Sequence, residues 1–82
     1  MKIKKYWLND DIYIYVIHDN DQKAAFPTKA DVYIGRKGYG NLNFVFGLFD
    51  DQNYPKNMRK FIFELHNDGY FNGFIDELMD QD

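Results

Sequence analysis

Apolar and polar positions alternate along residues 12–18. Ile12, Ile14 and Val16 fall on one side, Tyr13, Tyr15 and Ile17 on the other. A period of two is that of a β-strand. Residues 2–8 form a second β-favouring run, with Tyr6, Trp7 and Leu8 at its end and Lys2, Lys4 and Lys5 ahead of them. Lysines suit an edge strand, where charge blocks stray pairing. Asn9-Asp10-Asp11 between the two runs is a turn signal, so the pair reads as an antiparallel hairpin. The longest apolar run is residues 42–49. Strict alternation there puts Leu42, Phe44, Phe46 and Leu48 on one face and Asn43, Val45, Gly47 and Phe49 on the other. One fully apolar and one half-apolar face predict a strand near the middle of a sheet, with helices over the better face. Residues 31–36 are a further strand. Residues 37–41, with Gly38, Gly40 and Asn41, read as a hairpin loop with a bulge.

The period then changes. Met58, Phe61, Ile62 and Leu65 recur at helical spacing. The helix starts at Pro55, as a first helical position, or at Asn57, as an N-cap. It runs to His66, and Asn67-Asp68-Gly69 ends it, with Gly69 as the left-handed residue. Phe71, Phe74, Ile75 and Leu78 repeat the pattern in a shorter helix over 71–79. Asp76, Glu77 and Asp80 lie near its C-terminal end, where the macrodipole disfavours each negative charge by about 0.3–1 kcal/mol. Packing, not propensity, must hold this helix. Residues 19–30 read as an irregular loop, with 24–26 able to make one helical turn before Pro27 stops it.

The fold expected is α+β: a four-stranded antiparallel β-meander followed by two C-terminal α-helices packed on one face, in a single domain over residues 1–82. The expected core is Ile12, Ile14, Val16, Val32, Ile34, Leu42, Phe44, Phe46 and Leu48 from the sheet. Met58, Phe61, Ile62, Leu65, Phe74, Ile75 and Leu78 complete it from the helices.

Charge distribution adds more than the net value of -3. No Lys or Arg follows Lys60, whereas Glu64, Asp68, Asp76, Glu77, Asp80 and Asp82 do. Seven Tyr, eight Phe and one Trp are more aromatics than a core this small can hide, so some of the tyrosines are expected at the surface. No apolar stretch reaches the length of a membrane span, and no signal-peptide apolar region follows the N-terminal lysines. With no cysteine, the expectation is a cytoplasmic protein with no membrane association.

The absence of serine and cysteine excludes their nucleophilic mechanisms. His18, Asp19 and Asp21 could approach a cation at a strand end but lack the spacing of a metal motif, and His66 in the last helical turn reads as a cap. Asp10-Asp11 and Asp50-Asp51 sit at turns, where Asp is expected for backbone reasons. No enzyme activity, no cofactor and no metal is expected.

Residues 37–44, Lys-Gly-Tyr-Gly-Asn-Leu-Asn-Phe, resemble the RNP1 signature of RNA-recognition motif domains, and 32–35 look like its companion strand. The resemblance implies nucleic-acid binding through Tyr33, Lys37, Tyr39 and Phe44. Asn41 departs from the signature at a base-stacking position. The two runs are also joined by one tight turn, where that family places a helix and a strand. The leading expectation is therefore a small non-enzymatic inhibitor that occludes a basic, nucleic-acid-binding surface of a partner protein. Asp68, Asp76, Glu77, Asp80, Tyr54 and Tyr70 would carry it. In size and charge it is similar to phage- or mobile-element-encoded inhibitors such as anti-CRISPR proteins. Direct binding of nucleic acid by an acidic chain is disfavoured, and makes the alternative. A self-associating structural subunit, such as a homodimer, is a third reading.

Overall fold

A computed structural model describes residues 2–20, 28–48 and 54–80, the side chains of Asp19, Asn20, Thr28 and Lys29 excepted. Four strands, β1 (Lys2–Trp7), β2 (Ile12–Asn20), β3 (Thr28–Arg36) and β4 (Leu42–Leu48), precede two helices, α1 (Met58–Asn67) and α2 (Asn72–Met79). The strands form one antiparallel sheet in the order β1-β2-β3-β4. This is the α+β meander with C-terminal helices that the periodicities predict. Strands β2 and β3 extend to Asn20 and from Thr28, so part of the expected 19–30 loop is ladder. The proposed helical turn at 24–26 lies outside the described residues.

Local chemistry explains the connections. The Asn9 side-chain oxygen accepts the backbone N–H groups of Asp11 (2.7 Å) and Ile12 (2.8 Å), which closes the β1–β2 turn. In the β3–β4 turn, Tyr39 N–H donates to Arg36 C=O at 3.0 Å, with Gly38 at φ +84°. A side chain is strained at that angle, and glycine is not. Helix α1 begins at Asn57, whose side chain accepts from Lys60 N–H at 3.0 Å, so Pro55 stands outside the helix. Its end is a Schellman motif: Tyr70 N–H returns to Leu65 C=O and Gly69 N–H to His66 C=O, with Gly69 at φ +81°. His66 lies in the last turn of α1, and its ring Nδ1 is buried without a hydrogen-bond partner among the described residues.

Ile12, Ile14 and Val16 of β2 and Ala30, Val32 and Ile34 of β3 are fully buried, against Met58, Ile62, Phe71 and Leu78. Each large aliphatic side chain withdrawn in this way contributes about 1.5–3 kcal/mol. Phe46, Leu48, Phe61, Leu65, Phe74 and Ile75 pack around this centre, partly buried.

Two expectations for β4 fail. It is an edge strand; β2 and β3 occupy the middle. Its four large apolar residues also do not share a face. Val32 pairs with Phe46 and Tyr33 with Phe44, so Val45 is an extra residue at a β-bulge. On the C-terminal side of the bulge, Phe46 and Leu48 face the helices beside Val32 and Ala30. On the N-terminal side, Leu42 pairs with Gly35 and Phe44 with Tyr33, and both are exposed on the opposite face (37% and 50%). The bulge inverts the alternation, which is why Leu42 and Phe44 leave the core and Val45 packs against it.

Candidate binding surfaces

Two candidate surfaces lie on opposite sides of the sheet. The first lies where the helices meet β4. Phe46 projects toward the helices and meets Phe61 and Tyr70 edge-on, at ring separations of 6.2 and 5.8 Å. Tyr70 continues onto Phe71 at 5.4 Å. Such tilted pairs are worth about 0.5–1.5 kcal/mol each beyond their buried area. Phe71 is fully buried, whereas half of Tyr70 remains exposed. The Schellman turn fixes this ring, since Tyr70 is the residue whose N–H closes it.

Tyr70 consequently borders two shallow, open clefts. One, of about 430 Å³, is lined by Tyr70, Gly73, Phe74 and Glu77. The other, of about 320 Å³, is lined by Phe46, Gly47, Leu48, Phe61, Leu65 and Tyr70. Asp68, Asp76, Glu77 and Asp80 are all exposed. Of the acidic and aromatic candidates, Tyr70 and Glu77 line the same cleft. Tyr54 does not join them. Its ring packs against the core and its hydroxyl is hydrogen-bonded to Nδ1 of His18 on β2. Tyr54 ties the start of the helical segment to the sheet.

The second surface is the helix-free face of the sheet. The ladder sets two rows across it, Trp7–Tyr13–Gly35–Leu42 and Lys5–Tyr15–Tyr33–Phe44. Tyr33 and Phe44, both expected in the nucleic-acid alternative, meet edge-on at 5.4 Å. Tyr39 lies beside Arg36 instead, with the guanidinium 4.6 Å from its ring centre, and Lys37 is exposed in the turn. Trp7, Tyr13 and Tyr15 were not among the candidate residues. Alternation put Tyr13 and Tyr15 opposite the core face, but only the β1–β2 register brings Trp7 and Lys5 beside them. The Lys5 ammonium sits 4.4 Å from the Tyr13 ring centre and 5.5 Å from that of Trp7.

No protein-family model, curated protein or solved structure matches this chain. None of the described helices is long and apolar enough to cross a membrane.

Proposed function

We propose that this protein is a small non-enzymatic inhibitor that binds a partner protein and covers a basic, nucleic-acid-binding surface on it. The setting of Tyr70 carries the reading: a half-exposed ring between two apolar clefts, with Glu77 in one of them and Asp68, Asp76 and Asp80 exposed on the same helical segment. Association draws on two physical terms. An aromatic held in place by its neighbours loses little side-chain entropy on docking and supplies a central anchor. Carboxylates without intervening lysines or arginines attract a basic surface from a distance and speed encounter. Small acidic single-domain proteins of phages and mobile elements, anti-CRISPR proteins among them, use occlusion of this kind, and the likeness is one of size and charge.

The test is to recover nucleic-acid-binding proteins of the source cell on the tagged chain, then measure whether the chain blocks their binding to DNA or RNA. Block by the wild-type chain, association slowed at least tenfold by charge reversal of Asp68, Asp76, Glu77 and Asp80, and dissociation accelerated by Tyr70→Ala are the expected results. Unchanged kinetics in both variants would refute the reading.

A further inference from the structure

We infer that the helix-free face of the sheet is a stacking platform for single-stranded nucleic acid. The inference is independent of the docking surface proposed above, which lies on the other side of the sheet.

Trp7, Tyr13, Tyr15, Tyr33 and Phe44 occupy two adjacent rows of one face, with Lys5 at the end of the second. Phe44 and Trp7 are 50% and 45% exposed, so their rings present apolar surface directly to solvent. Gly35 keeps the rows low. A Cβ there would stand 2.7 Å from the Tyr13 ring and 2.7 Å from the Leu42 side chain, so glycine lets both lie across β3. The rows are two residues apart along each strand, about 6.8 Å, twice the spacing of stacked bases. Bases on neighbouring rows would each need a ring of their own, which suits an unstacked single strand and not a duplex. Aromatic side chains accept any base on their faces, and a nearby cation tracks the backbone.

The charge on the two rows themselves is positive, although that of the whole chain is negative. Lys5 is the cation on the two rows, and Lys37 lies in the turn beyond Leu42. Of the nearby acids, Asp31 sits in the next row and is fully buried, and Asp10 and Asp11 lie in the β1–β2 turn beyond Trp7. The exposed carboxylates of α1 and α2 are behind the sheet. A second copy of the chain fits less well. Four strands about 4.8 Å apart, paired over six to eight residues, give a footprint of about 400–500 Å² per copy. That is about half of what a stable protein interface uses, and face-to-face pairing would bury two Lys5 side chains.

Trp7 is the one tryptophan of the chain, so its fluorescence reports on this face. The full chain is titrated at low salt with oligodeoxythymidylate, oligouridylate and a DNA duplex of equal length. Saturable quenching by one or both single strands and not by the duplex is expected. Salt should weaken binding only gently, with a log–log slope of about -1.4 for two lysine–phosphate contacts. Phe44→Ser and Tyr33→Ser, checked for folding by circular dichroism, should each weaken binding at least fivefold, and Lys5→Ala about threefold. Charge reversal on α2 should leave it intact, which separates this platform from the protein-docking surface. No quenching, equal quenching by duplex, indifference to Phe44→Ser, or a Trp7 signal that changes with protein concentration alone would overturn the inference.

Discussion

The Arg36 side chain at the end of β3 donates a hydrogen bond of 3.0 Å to the backbone carbonyl of Leu78 in the last turn of α2. A helix with Asp76, Glu77 and Asp80 at its C-terminal end and no basic residue in that turn lacks a cation of its own where the macrodipole wants one. The sheet supplies it. Arg36→Ala should therefore destabilise the fold by about 2 kcal/mol, the range for a hydrogen bond to a charged group. Arg36→Lys should recover part of the loss. Urea unfolding followed by far-ultraviolet circular dichroism measures both; equal midpoints for wild type and Arg36→Ala would show that α2 does not depend on this contact.

Gly69 holds the turn that places Tyr70. At φ +81° a Cβ is disfavoured, and it would also come within 3.0 Å of the Asn72 side chain. Gly69→Ala should cost about 1–2 kcal/mol. Gly69→Asn, which tolerates the left-handed region, should cost less. Thermal melts of the two variants give the order.

Gly35→Ala probes the platform on the other face. The new Cβ meets side-chain ends and not backbone, so the Tyr13 ring and Leu42 can move. Stability should fall by only about 1 kcal/mol, the low end for overpacking. The Trp7 environment should change more, because its ring lies 5.1 Å from that of Tyr13. A shifted emission maximum with a nearly unchanged melting temperature is the expected pair of readings.

Phe71 and Phe44 give opposite results for the same substitution. Phe71 is fully buried just ahead of α2, and Phe71→Ala should cost about 3–5 kcal/mol. A domain of this size holds roughly 4–12 kcal/mol in all, so the variant should be partly unfolded at 37 °C. Phe44→Ala, at a half-exposed position, should lose about 1 kcal/mol, most of it from the Tyr33 contact. Chemical denaturation of both variants tests the assignment of the two faces.

Much of this could be read from the chain alone. The element types and order, the inward set Ile12, Ile14 and Val16, the Asn57 cap and the Gly69 stop all follow from local rules. Period, cap chemistry and the steric freedom of glycine act within a few residues of chain. Phe71 shows where that reading thins: the helical pattern includes it, yet its full burial depends on how α2 docks, not on its spacing.

Only the tertiary structure decided what β4 does. Strict alternation puts Leu42, Phe44, Phe46 and Leu48 together, but a bulge at Val45 turns the first two outward. That shift belongs to the pairing of β4 with β3, and a single strand carries no record of its partner's register. The same is true of the aromatic face. Trp7 comes to lie beside Tyr13, and Phe44 beside Tyr33, on one face because three hairpin registers align them, and Arg36 reaches Leu78 because α2 folds back onto β3. Local propensity acts before the chain closes on itself; these long-range contacts exist only after it has.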